Sequence, residues 1–104
     1  MLVQIHTDPN IRSSQELTAQ VEALVTSTLE RFSDRISRVQ VHLGDENGSK
    51  GGNNDKRCMM EARLDGRPPI AVTQQAATLD QAMDGAAEKL ERSIDSMLGR
   101  LDDR

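Results

Sequence analysis

At 104 residues the chain has room for one hydrophobic core and not two. Its 13 Lys and Arg against 17 Asp and Glu leave a net charge of −4, which excludes strong non-specific nucleic-acid binding but not a local basic face. Phe32 is the only aromatic residue among Phe, Trp and Tyr, so the core has to be built from aliphatic side chains and Met.

Leu2 to Thr7 reads as a short strand, with Val3 and Ile5 on one face and Gln4 and His6 on the other. Asp8-Pro9-Asn10 marks a turn. Ser13-x-x-Glu16 is a capping box that opens a helix to about Phe32, its stripe formed by Leu17, Val21, Leu24, Val25, Thr28, Leu29 and Phe32. Ile36 to Leu43 alternates, with Val39, Val41 and Leu43 inward and Arg38, Gln40 and His42 outward. Strand, helix and strand in this order favour a right-handed parallel crossover.

Gly44 to Asp55 is rich in Gly, Asn, Asp and Ser, contains no apolar residue, and reads as a mobile loop. Lys56 to Leu64 is a third strand, with Cys58, Met60, Ala62 and Leu64 inward and Arg57, Met59, Glu61 and Arg63 outward. After Asp65-Gly66 and Arg67-Pro68-Pro69, Ile70 to Gln75 is a fourth strand whose leading prolines suit an edge. Thr78 to Leu101 is a long amphipathic helix. Leu79, Ala82, Met83, Ala86, Leu90, Ile94, Met97, Leu98 and Leu101 line one side, and Thr78 with Gln81 forms a second capping box. Residues 102–104 read as a frayed tail.

The order β-α-β-β-β-α predicts an α+β two-layer sandwich: one domain over residues 1–104, with two helices on one face of a four-stranded sheet. The other face is then open and polar, carrying Gln4, His6, Arg38, Gln40, His42, Arg57, Glu61, Arg63, Thr73 and Gln75. No run is long and apolar enough to span a membrane, and the N-terminus lacks a signal-peptide pattern, so no membrane partner and a cytoplasmic location are expected. A lone Cys58 excludes an intramolecular disulfide and fits a reducing compartment; on the inward register it acts as a small apolar residue.

The candidates for chemistry are few. His6 and His42 share the open face, and with Asp45, Glu46 or Glu61 they are the candidate metal or acid–base set. Their spacing lacks a zinc pattern, and polar residues on a wet sheet are the plainer reading. Gly48-Ser49-Lys50-Gly51-Gly52 lacks phosphate-loop spacing, and no helix follows it. No nucleophile, base and carboxylate set can be composed, so neither an enzyme nor a cofactor is expected. Basic residues concentrate in the middle of the chain, where Arg38, Arg57 and Arg63 share the outward register as a potential phosphate-facing stripe. Glu61 interrupts that stripe, and on the long helix Glu88 and Arg92 stand at ion-pair spacing. With no Phe, Tyr or Trp on the open face, base stacking is not expected.

Arg31-Phe32-Ser33-Asp34-Arg35-Ile36-Ser37-Arg38-Val39, Ala82-Met83-Asp84-Gly85 and Glu88-Lys89-Leu90-Glu91-Arg92, together with the element order, carry a resemblance over nearly the whole chain. It resembles the ribosome hibernation-promoting factor family, which includes ribosome-associated inhibitor A. The arrangement is similar to double-stranded-RNA-binding domains. The resemblance implies a stress protein that binds rRNA of the small ribosomal subunit in the path of messenger and transfer RNA, blocks initiation and preserves idle ribosomes. It also implies a short form, because long members add a domain that pairs ribosomes. Arg35, Lys89 and Arg92 match family basic positions; with Arg38, Arg57 and Arg63 they make up the expected rRNA contacts. Thr78 and Asp80 replace the family's usual acidic residue and tyrosine, and residues 99–104 replace its lysine-rich end, which implies fewer phosphate contacts and more salt-sensitive binding. The alternative is an interaction module of the same fold with little rRNA affinity. Its partner would be a protein or a second copy of the chain, held through the open sheet face or an edge strand.

Overall fold

The computed structural model describes residues 1–46 and 55–102. β1 (Leu2–Thr7) leads into α1 (Gln15–Thr28), a single 3₁₀ turn (Glu30–Phe32), β2 (Ile36–Asp45), β3 (Lys56–Leu64), β4 (Ile70–Ala76) and α2 (Leu79–Asp102). The strands lie in the order β1-β2-β3-β4, with β1 parallel to β2 and the other pairs antiparallel. The α+β sandwich and the edge position of β4 are as the sequence predicts.

Three local expectations are corrected. Ser14, not Ser13, caps α1: its backbone is extended and its hydroxyl accepts the Leu17 N–H at 3.0 Å. The helix does not run unbroken to Phe32. Leu29 leaves helical geometry, and the tighter turn that follows swings Phe32 into the core. The stretch assigned to a loop begins later, because Gly44 and Asp45 continue β2, and Glu46 N–H bonds the Asp55 carbonyl at 2.9 Å to close the ladder. Residues 47–54 of that stretch, and 103–104 of the tail, lie outside the described residues.

Strand alternation builds the core. Val39, Val41, Leu43, Cys58, Met60 and Ala62 point to the helical side and are buried beneath Val21, Val25 and Leu29 of the first helical layer and Met83, Leu90 and Ile94 of α2. A bulge at Ser37 shifts the register between Ile36 and Arg38, which lets Ile36 and Val39 both face inward. Ala82, Ala86 and Ala87 bring α2 close to the sheet. At Gly85 a β-carbon would stand 2.6 Å from Cγ of Gln74, so only glycine fits there without displacing that side chain. Gly66 supplies the positive φ (71°) of the turn after β3. Truncating a fully buried side chain such as Leu90 to Ala costs about 2–5 kcal/mol in a core of this kind. Among the described residues no helix is long and apolar enough to cross a membrane.

α1 and the 3₁₀ turn after it are each tied to α2 by polar contacts. Gln20 Nε2 donates to Asp80 Oδ1 at 2.7 Å, and Arg31 pairs with Asp95 at 3.3 Å and Glu91 at 3.8 Å while lying over the Phe32 ring. The Arg31 pairs are largely exposed and contribute little to stability.

Candidate nucleic-acid interface

The inward residues of each strand are claimed by the core, so the alternate residues form a sheet face that no helix covers. Strand register sets them in rows: Leu2, Arg38 and Arg63; then Gln4, Gln40, Glu61 and Ala71; then His6, His42, Met59 and Thr73; then Gly44, Arg57 and Gln75. Within the second row Gln40 Nε2 donates to Gln4 Oε1 at 3.2 Å.

The six expected contacts fall into three places. Arg38 and Arg63 stand directly opposite each other across β2 and β3, next to the bulge, where Ser37 Oγ donates to the Arg63 carbonyl at 3.1 Å. Arg35 is exposed at the same end of the sheet, its carbonyl accepting the Asp65 N–H at 3.2 Å, and exposed Arg67 follows the Gly66 turn there. Among the described residues none of these four guanidinium groups has a hydrogen bond or ion pair. Arg57 lies about 20 Å further along β3 at ~3.3 Å per residue, so the three open-face arginines form a pair and an outlier rather than a stripe. Lys89 and Arg92 belong to the helical layer. Lys89 Nζ donates to the Thr73 carbonyl of β4 at 2.9 Å, and Arg92 pairs with Glu88 at 3.5 Å, the i,i+4 contact the spacing predicts.

The opposite end of the sheet holds carboxylates in a different state. Asp8 accepts the Asn10 N–H (2.9 Å) on one oxygen and the Asp45 N–H (3.1 Å) on the other, while Asn10 Nδ2 donates to the Asp45 carbonyl at 3.0 Å. Lys56 sits 3.2 Å from both Asp45 and Asp55, which are buried. Those two carboxylates, Asp45 first, hold the Lys56 ammonium above its ordinary value.

His6 and His42 face each other across β1 and β2, and their rings stack with centroids 4.6 Å apart and planes 17° from parallel. Sequence alternation placed both on one face; only the parallel register makes them a stack. Burial foremost, and then His6 and Arg57, push the His42 imidazole toward its neutral form, against the pull of Glu61. Among the described residues no group of three or more His, Cys, Asp or Glu side chains is placed to hold a metal ion. Cys58 is buried, and desolvation pushes its thiol up to about 12, far from the thiolate that redox chemistry needs.

A family model described as sigma 54 modulation protein / S30EA ribosomal protein matches residues 3–102. No curated protein matches the chain. Among solved structures it is similar to the Protein Y N-terminal domain of Thermus thermophilus, with a TM-score of 0.74 and 21% identity over 93% of this chain and 99% of that one. It is also similar to a ribosomal subunit interface protein from Coxiella burnetii, with a TM-score of 0.73 and 18% identity over 95% and 99%. At these identities the two likenesses establish a common fold.

Proposed function

The chain belongs to the sigma 54 modulation protein / S30EA ribosomal protein family, and on that premise we propose that it is a non-enzymatic, cytoplasmic, ribosome-associated factor. It binds the small subunit through rRNA phosphates and holds idle ribosomes out of translation under stress. The observation that carries this reading is the Arg38–Arg63 pair with Arg35 and Arg67 beside it. Like charges directly opposite on neighbouring strands cost the sheet roughly 0.2–1 kcal/mol, and nothing among the described residues neutralises them. A phosphate backbone would, since a guanidinium fork meets phosphate oxygens two at a time. Arg57 would reach the backbone from the far end of the face. Lys89 and Arg92 would exchange the Thr73 carbonyl and Glu88 for phosphate.

A second reading is favoured by the net charge of −4 and by the prior engagement of Lys89 and Arg92. In it the fold serves as an interaction module, holding a protein or a second copy of the chain on the open face or an edge strand. Sedimentation of the protein with 30S and 70S particles through sucrose separates the two. Co-sedimentation at low salt that fades as salt rises supports the ribosome reading. An Arg63→Gln change should then reduce the log–log salt slope by about one. Folded protein that stays at the top of the gradient at low salt would overturn that reading, and a dimer by gel filtration with light scattering would support the second.

A further inference from the structure

Beside the stacked histidines the open face sinks into a depression of about 260 Å³, lined by His6, Thr7, Asp8, His42, Gly44 and Arg57 among others. Gly44 stands opposite Arg57, and a β-carbon there would lie 3.0 Å from an Asp8 carboxylate oxygen, so glycine lets the Asp8 carboxylate approach β2 closely. Among the described residues the Arg57 guanidinium and both imidazoles lack hydrogen-bond and ion-pair partners, so the donors that line this depression are unspent. Arg57 from β3 and Asp8 from the turn after β1 line it beside the histidines, and Glu61 of β3 acts on His42 from the next row. Asp8 has both oxygens committed to backbone N–H groups. With the imidazoles neutral, Arg57 is the only cation and the two carboxylates outweigh it; with them protonated the balance reverses.

We propose that His6, His42 and Arg57 form a phosphate-binding site on the open sheet face, one that fills only as the histidine pair takes up protons. Two protonated rings this close repel each other, and an anion seated against both and against Arg57 supplies the missing counter-charge. Proton uptake and anion binding are therefore linked, each favouring the other. The site concerns any phosphate group; it shares Arg57 with the ribosome reading but does not rest on that reading.

Sulfate is the probe, because its charge is constant over the working pH range whereas that of phosphate is not. The readout is the ring-proton NMR signals of both histidines, titrated at constant ionic strength. The His42 imidazole is held toward its neutral form, so it gains its proton only below the ordinary histidine value of 6.5. Sulfate should therefore bind severalfold tighter near pH 5.5 than near pH 7.5 and raise the midpoint of the His42 titration. Arg57→Gln should abolish saturable binding, and His42→Gln should reduce its pH dependence, with melting midpoints in chloride confirming that both variants are folded. Absence of saturable shifts, equal affinity at the two pH values, or an unchanged pH profile in folded His42→Gln would each overturn the site. Repeating the 30S sedimentation at both pH values tells the sources apart. A gain on acidification that His42→Gln reduces identifies an RNA phosphodiester, and an identical profile for both proteins identifies free phosphate. Complete failure to sediment counts against the ribosome reading alone.

Discussion

The two ends of the sheet hold charge in opposite ways. At the end where β1 and β2 finish, Asp8 binds two backbone N–H groups, and buried Asp45 and Asp55 flank Lys56. At the other end Arg35, Arg38, Arg63 and Arg67 are exposed or half-exposed, two of them face to face, with no partner among the described residues. The carboxylate end spends its charge on the fold: it pins the turn after β1 onto β2 and closes the β2–β3 ladder at Glu46 and Asp55. The arginine end leaves its charge unspent at a small cost to the sheet. Stabilising charge gathers at one end and the facing arginine pair at the other, with Arg57 as the exception that brings unspent charge to the carboxylate end.

Changes at each end should break this contrast in different observables. The largest effect is expected from reversing both members of the facing pair. Arg38→Glu with Arg63→Glu should weaken sedimentation with 30S particles by about 100-fold, the lost contact and added repulsion at each position together counting for about tenfold. Its urea midpoint should not fall. A fall would mean that the pair supports the fold. Next comes Asp8→Ala, which strands the Asn10 and Asp45 N–H groups and should cost about 1–3 kcal/mol in urea unfolding.

Alkali sharpens the same comparison. The Lys56 value is raised in the folded state by its bonds to Asp45 and then Asp55, so its contribution is whole below its ordinary 10.5 and is lost as pH rises through the folded value. Cys58 has the same sign: burial lifts it from 9.0 to about 12, so its contribution is whole below 9.0 and declines above. Urea midpoints should therefore decline from about pH 9 upward, and the Lys56 part of the decline should vanish in Lys56→Met. Arginine-end variants should shift the midpoint equally at neutral and alkaline pH, because guanidinium stays charged throughout. The smallest expected effect is from Arg63→Glu alone, which turns a repulsive cross-strand pair into an attractive one and should stabilise the sheet by about 0.2–1 kcal/mol.

Much of the architecture follows from the sequence by itself, because it rests on periodicity. Alternation fixed which side chains of β2 and β3 face the core, and the three- and four-residue recurrence fixed the buried stripe of α2. Cap and helix ends were legible only to within a residue or more, since Ser13 and Ser14 are chemically equivalent caps and backbone geometry chooses between them. The open-face residues were legible as a set but not as neighbours. Only strand register, set by the parallel β1–β2 pairing and the bulge at Ser37, placed Arg38 opposite Arg63, stacked His6 on His42 and left Arg57 far from the arginine pair. The physical reason is that periodicity is a property of one strand, whereas a site is a property of several, and their offset is decided by pairing and packing between segments distant in the chain.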